Sequence, residues 1–265
     1  MIDRWTSRQI EQTLAGKRGI VTGAGSGIGR AVALRIAAAG GAVAGVDLNL
    51  AAAEQGAQEG AAFPGSITPW QCDISSETEV DTLLGQLVAA GFVDYLVNAA
   101  GIEGSRDELG AVPISHWDQV MNVNLRGSFL TMRTLIPTMR ERKDGAIVNI
   151  GSVGSLVGLA GDSAYAASKH AIAGLSKSAV AESARDNVRI NVVCPGPIDT
   201  PLQDRAEQRS ADPAAFRRRL EAAIPQGRFG RPDEVAELVV FLLGDSASYI
   251  NGTLIPIDGG LTATL

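Results

Sequence analysis

Gly19-Ile20-Val21 runs directly into Thr22-Gly23-Ala24-Gly25-Ser26-Gly27-Ile28-Gly29, and an alanine-rich stretch from about Arg30 to Ala39 follows, closed by Gly40-Gly41. The order is a short apolar strand, a glycine turn, and a helix with a glycine stop. A glycine turn between a strand and a helix lets the backbone approach a pyrophosphate, and the helix amides then face its negative charge. The spacing is T-G-x-x-x-G-x-G, set by Gly23, Gly27 and Gly29, rather than G-x-G-x-x-G. A tight turn that holds no ligand is the alternative.

Outward from this turn, apolar runs and helical patterns alternate. Ala42–Val46 reads as a second strand ending at Asp47, and further strands are expected at Thr68–Cys72, Val93–Val97, Ala146–Ile150, Arg189–Val193 and Leu254–Ile257. Helical patterns lie near Ser76–Ala90, Ser115–Arg142, Ala164–Arg185 and Pro232–Leu243. Continuously apolar strands separated by helices are what a parallel sheet covered on both faces requires. The expectation is an α/β fold: one doubly wound Rossmann domain over residues 1–265, with a mostly parallel, seven-stranded sheet. Residues 1–16 read as a leader with scattered apolar positions (Ile2, Trp5, Ile10, Leu14). Residues from about 200 to 230, polar and arginine-rich, read as a substrate lid over the C-terminal edge of the sheet, where such sheets bind ligands.

Twenty-three Lys+Arg against 29 Asp+Glu leave a net charge of −6, a poor match to a protein that tracks nucleic-acid phosphates. The basic run Arg217-Arg218-Arg219 reads as a solvated helix face. Cys72 and Cys194 form neither a disulfide framework nor a C-x-x-C pair, and with only His116 and His170 available no metal site is expected. His116 reads as a surface or cap residue and His170 as helix surface. The start of the chain lacks a secretory h-region, and no apolar stretch is long enough to cross a bilayer, so the expected location is the cytoplasm, with no membrane partner.

Asp47 lies 18 residues beyond Gly29. A carboxylate there can accept hydrogen bonds from both adenosine ribose hydroxyls and would repel the additional phosphate of NADP. Ser26, before Gly27, offers that phosphate no positive charge, so both residues point to NAD; Asp47 as a helix cap is the alternative. Further along, Tyr165-Ala166-Ala167-Ser168-Lys169 opens a helix and puts a phenol and an ammonium on one face. Tyrosine, with a reference pKa of about 10, is too weak an acid to be a ready base at neutral pH, and a neighbouring ammonium favours its phenolate. Alone, Y-x-x-x-K can arise by chance.

Taken together, the turn at Thr22–Gly29 and the Tyr165/Lys169 pair resemble the short-chain dehydrogenase/reductase family, in its compact NAD-preferring branch, over nearly the whole chain. Asn98-Ala99-Ala100-Gly101 is similar to its segment after the fourth strand, and Asn124 falls at its helix-kink asparagine. Ser152, 13 residues before Tyr165, sits where its catalytic serine does, and Pro195-Gly196-Pro197-Ile198-Asp199-Thr200 is similar to its segment after the sixth strand. The resemblance implies that Tyr165 exchanges a proton with an alcohol or ketone, and that Ser152 steadies the substrate oxygen. It also implies that Lys169 lowers the Tyr165 pKa and binds the nicotinamide ribose, and that Asn124 holds a water leading from Lys169 to solvent. By the same token, Asp73 and Ile74 would contact the adenine, and Ile198 and Thr200 the carboxamide. Ile28 and Leu48 join the cofactor set beside the turn and Asp47. A homotetramer is implied, with the tyrosine-bearing helix and the C-terminal strand at interfaces.

The expected activity is NAD(H)-dependent hydride transfer between a secondary alcohol and a ketone, with a small molecule as partner. An NADPH-dependent reductase of 3-oxoacyl or other carbonyl compounds is the rival within the class. A non-catalytic dinucleotide sensor or scaffold is the rival outside it. The substrate wall is expected to draw on Ser152, Gly154 and the residues on to Asp162, on Tyr165, on the start of the lid, and on residues past Gly101 such as Glu103 and Gly104.

Overall fold

The computed structural model describes residues 13–264. Seven strands, β1 (Arg18–Thr22), β2 (Ala42–Asp47), β3 (Ser66–Gln71), β4 (Tyr95–Asn98), β5 (Gly145–Ile150), β6 (Val188–Pro195) and β7 (Leu254–Ile257), form one sheet in the order β3-β2-β1-β4-β5-β6-β7. Every pairing between them is parallel. Strand order reverses between β1 and β4, which run side by side in a register that pairs Thr22 with Asn98. That reversal opens a crevice at the strand ends, and the glycine turn sits on its lip.

Alternation along the strands splits the core between the two faces. Val21, Val148 and Val193 pack with Ala31, Val32 and Ile36 of α1 (Gly27–Ala38) and with Val235, Val239 and Leu242 of a C-terminal helix. Ile20, Leu96 and Ile147 face the other way, onto Val80, Leu84 and Leu87 of one helix and Leu130, Leu135 and Met139 of another. Each such fully buried aliphatic side chain contributes about 1.5–3 kcal/mol relative to exposure. Leu14, the leader residue within the described range, is 1% exposed and belongs to the first cluster, whereas Ile2, Trp5 and Ile10 lie outside the described residues.

The helices between the strands are α2 (Leu50–Glu59), α3 (Glu77–Ala89), α4 (Ile114–Val120), α5 (Gly127–Arg142), α6 (Ser163–Ser183), α7 (Pro201–Gln208), α8 (Pro213–Ala223) and α9 (Pro232–Leu243). Helix α2 had no sequence signal of the expected kind. Only Ala53 and Gly56 of it are buried, so it carries almost no apolar period, and its start is marked by Asn49, whose side chain accepts from the Ala52 amide. The long helix expected over 115–142 is interrupted: residues Met121–Arg126 form a π turn between α4 and α5. The third strand begins two residues earlier than expected and stops at Gln71, so Cys72 lies just beyond it. Pro69 is tolerated there because β3 is an edge strand.

The segment expected as a lid consists of α7 and α8, placed between β6 and α9. Arg217 is half-buried and paired rather than freely solvated. It bonds Asp199, Glu207 and Glu221 at 2.6–3.4 Å and stacks on Phe229, tying α8 to α7 and to the loop after β6. Its two neighbours, Arg218 and Arg219, are exposed as expected. His170 is exposed on α6, and His116 is half-buried in α4.

Candidate active site

The crevice between β1 and β4 is a cleft of about 860 Å³. Its cofactor end is made of backbone brought unusually close. Gly23 has φ +69°, and a Cβ there would lie 2.8 Å from the backbone of Ala100. At Gly29 a Cβ would meet the Gly23 carbonyl, and at Gly25 one would come within 2.8 Å of the Asp47 carboxylate. Thr22 Oγ1 accepts from the amides of Ala99 (3.2 Å) and Ala100 (3.3 Å), holding the loop after β4 against the turn. Ser26, the N-cap of α1, makes no side-chain cap bond, and the first turn of α1 carries no acidic residue. The helix amides are thereby left to an anion.

Asp47 ends β2 with both oxygens engaged: Oδ2 accepts from Gly25 N–H at 2.8 Å and Oδ1 from Asn49 N–H at 2.9 Å. The cap of α2 is Asn49, so Asp47 is not a helix cap. The guanidinium of Arg30 donates to the Gly25 carbonyl and pairs with Glu59 at 3.3 Å, so that charge is already engaged. The cleft wall includes Gly23, Ser26, Gly27, Ile28, Gly29, Asp47 and Leu48. It continues through Asp73, Ile74, Ala99, Ala100 and Gly101, then Pro195, Gly196, Ile198 and Thr200. These backbone approaches and donor groups fit a dinucleotide.

Asn98 turns its side chain away from the cleft. It is 4% exposed, and its side chain turns into the sheet, donating to Asn149 Oδ1 at 2.9 Å and accepting from Thr131 Oγ1 at 2.8 Å. It braces β4 against β5 and does not border the cleft. Gly154 is likewise absent from the cleft wall; a Cβ there would meet Leu159, and its amide donates to Ser152 Oγ at 3.0 Å. Leu159 and Val153 stand in the wall near it.

Ser152 follows β5 and caps a short 3-10 turn, Val153–Ser155. Because Ser152 Oγ accepts from Gly154, its proton is free to point elsewhere, and it hydrogen-bonds Tyr165. Tyr165 and Lys169 lie one turn apart at the start of α6, with Nζ 5.5 Å from the ring centroid. Lys169 Nζ donates to the Ile150 carbonyl at 2.8 Å, and Ser155 Oγ donates to the Lys169 carbonyl at 2.9 Å. Asn124, fully buried in the π turn, does not line the cleft. It accepts from Ile102 N–H at 2.8 Å and donates to the Ile102 carbonyl and Ser168 Oγ, bracing the β4 loop against α6.

Burial dominates the titration of this group. It pushes the Tyr165 phenol up to about 12, against the Ser152 hydrogen bond, with the Asp162 and Glu103 carboxylates adding to the rise. It pulls the Lys169 ammonium down to about 8. The expectation that Lys169 brings the phenol below its ordinary value is therefore not met in net direction: desolvation of the phenolate is larger than any help from the ammonium. Tyr165 thus rests as a proton donor.

The other end of the cleft is charged. Glu103, Arg106, Asp162 and Arg205 line it, with Leu202, Ala206 and Leu220 from α7 and α8. Glu103 and the start of the lid belong to segments expected there. Arg106 and the cleft-facing residues around α4 (Ser115, Asp118, Gln119 and Asn122) carried no motif, and only their position after β4 could have suggested them.

A parallel sheet with its strand-order reversal at a glycine turn, and a Ser152–Tyr165–Lys169 group beside it, is the arrangement of a nicotinamide-dependent oxidoreductase of alcohols and ketones. A family model described as enoyl-(acyl carrier protein) reductase matches residues 23–262. The chain is 37% identical over 250 residues to 3-oxoacyl-(acyl-carrier-protein) reductase of Thermotoga maritima, covering 94% of this chain and 98% of that protein. It is 38% identical over 251 residues to levodione reductase of Leifsonia aquatica, covering 92% and 93%. A crystal structure of levodione reductase superposes with a TM-score of 0.90 at 34% identity, covering 95% of this chain and all of that one. The chain belongs to the short-chain dehydrogenase/reductase family.

Proposed function

We propose that the chain is an NAD(H)-dependent dehydrogenase that interconverts a secondary alcohol and a ketone. The observation that carries the cofactor choice is Asp47, whose carboxylate is held at the end of β2 by the Gly25 and Asn49 amides, while the nearby Arg30 guanidinium is taken up by the Gly25 carbonyl and Glu59. It can accept from ribose hydroxyls and would oppose a phosphate in their place. The bound nicotinamide supplies the hydride acceptor or donor. Tyr165 gives its proton to the forming alkoxide in reduction and takes one from the alcohol in oxidation. Ser152 donates to the same oxygen, with its own oxygen steadied by Gly154 N–H. Lys169, anchored on the Ile150 carbonyl, places positive charge under the phenol and reaches toward the ribose. Asn124 keeps the β4 loop and α6 in register and is proposed to hold a water leading from Lys169 to solvent.

We read the whole chain as a single dinucleotide-binding domain, residues 200–230 as its lid, its location as the cytoplasm and its assembly as a homotetramer. Among the described residues no helix is long and apolar enough to cross a membrane. A groove between α5 and α6, with Phe129, Ile136 and Leu175 in its wall, supports the assembly. A second reading, an NADPH-dependent reductase of 3-oxoacyl chains, is kept by the similarity to the Thermotoga maritima enzyme.

One experiment separates the two. Reduced-nicotinamide absorbance is followed with a panel of secondary alcohols and with 3-oxoacyl thioesters, each with both cofactors. Turnover of an alcohol with NAD and weakly with NADP supports the first reading; thioester reduction faster with NADPH replaces it with the second. Binding of NADH without turnover of any compound would favour a sensor.

A further inference from the structure

A leucine left half-buried beside a cleft still exposes apolar surface to water, and covering it is favourable in proportion to that area. Leu159 in the loop after β5, Leu202 in α7, Leu220 in α8 and Leu261 beyond β7 are all half-buried, and all line the cleft. Val153 and Ala206, both buried, complete this apolar side. The charged side is occupied with itself: Glu103 pairs with Arg209 at 3.2 Å, and Asp162 lies against the Gly104 amide and near Arg106. Among the charged residues of this end of the wall, Glu103 and Asp162 are matched by Arg106 and Arg205, so a charged substrate finds no net counter-charge. Leu261 is held in place by a turn. Asp258, just past β7, accepts from the amides of Gly260 (2.9 Å) and Thr262 (2.8 Å) and from Thr262 Oγ1 (2.6 Å), fixing the residues on either side of Leu261 to one carboxylate. Gly259 and Gly260 have φ of +65° and +90°, and a Cβ on them would press on Ile224 and Pro225, just past α8. Gln226 N–H donates to the Gly259 carbonyl at 3.2 Å. The turn is thus stitched to the end of the helix that carries Leu220.

Resting on the dehydrogenase reading above, we infer that Leu261, together with Leu220, determines specificity by packing on a hydrocarbon flank of the substrate. The substrate is then an uncharged secondary alcohol, or its ketone, that carries an apolar ring or branched alkyl group. Balanced charges on one side of the wall give a carboxylate or ammonium nothing to neutralise it, whereas the leucines on the other side gain by being covered. Because Leu261 is set by a turn pinned to Asp258 and to the end of α8, its position is fixed before substrate arrives, as selection by size requires. One methylene more or less in an apolar pocket changes kcat/KM by about 10–200-fold.

The test follows NAD reduction with cyclohexanol, 2-butanol and 3-hydroxybutyrate, using wild type, Leu261→Ala and Leu220→Ala. Wild type is expected to favour cyclohexanol over 2-butanol by at least about tenfold in kcat/KM, with 3-hydroxybutyrate weakest. Each substitution is expected to shrink the cyclohexanol preference by about tenfold, mostly through KM. Leu261→Ala is also expected to raise kcat/KM for the bulkier 4-tert-butylcyclohexanol relative to cyclohexanol, a gain that a merely destabilised chain would not show. A wild-type ratio near one, a ratio that survives both substitutions, no relative gain for the bulkier alcohol, or a preference for 3-hydroxybutyrate overturns the assignment. Calorimetric titration of the same compounds into the NAD-loaded enzyme keeps the two readings apart. Absence of all turnover defeats the dehydrogenase reading, while selective binding of cyclohexanol, weakened in Leu261→Ala, upholds the role of Leu261. Equal binding of cyclohexanol and 3-hydroxybutyrate, or binding of neither, overturns it. Leu220 sits on a different element from Leu261, so a folding defect in one variant leaves the other decisive.

Discussion

At the cofactor end of the cleft the wall is backbone: glycines at 23, 25 and 29 let the turn, the β4 loop and Asp47 touch one another with no side chain between them. At the substrate end the wall is charged side chains from separate segments, Glu103 and Arg106 after β4, Asp162 before α6, and Arg205 in α7. On the proposed reading the first end would recognise by shape and amide direction, which a dinucleotide needs whatever the reaction. The second would recognise by charge balance, which can be rewritten residue by residue. Tyr165 stands at the border between them.

Removing the border residue gives the largest effect. Tyr165→Phe is expected to lower turnover by about 10²–10⁴-fold while NADH affinity, read by fluorescence titration, stays within twofold, roughly. Activity near wild type would unseat the proposed proton donor. Next, Lys169→Met is expected to lower turnover by roughly 10²-fold and yet raise Tm by a few degrees in calorimetry. The Lys169 ammonium titrates at about 8 when folded and at its ordinary 10.5 when unfolded. Between those values the unfolded chain holds the proton, so stability rises with pH across that window, and below it the buried charge is a net burden. For wild type the same titration makes ketone reduction fall as pH passes about 8, which a pH–rate profile checks. Asp47→Ala comes third: NAD affinity is expected to weaken by about tenfold and the NAD-to-NADP ratio to narrow. An unchanged ratio would mean that shape alone chooses the cofactor. Smallest for ligand binding is Asn98→Ala, which is expected to lower stability by about 1–3 kcal/mol in denaturant titration and leave NADH affinity unmoved. A loss of affinity there would extend the cofactor end into the sheet.

How much could be read beforehand follows the same division. Strand–turn–helix order, Asp47 and the Tyr165/Lys169 pair were legible because each depends on local spacing: a strand end, a glycine conformation, one helical turn. The inward turn of the Asn98 side chain was not legible, because an asparagine at a strand end looks the same whether it faces a cleft or another asparagine, and its partner Asn149 is 51 residues away. The packing of Leu159 against Gly154 was hidden for a similar reason, since a glycine in the sequence does not say which neighbour fills the space beside it. Helix α2 hid because a helix packed by Ala53 and Gly56 has little apolar stripe to show. The charge cluster hid because Glu103, Asp162 and Arg209 meet only through the fold.

The π turn at Met121–Arg126 constrains how this chain can change length. An α-helix advances 100° per residue, and a π turn absorbs one residue more than its α neighbours. That additional residue lets Asn124 face Ile102 and Ser168 while Leu130, Leu135 and Met139, on the same continuous helical run, keep their seats against the sheet. Deleting any one residue of the turn would leave a perfectly good helix in which only one of those two alignments survives. The segment is therefore expected to tolerate neither a lost nor a gained codon.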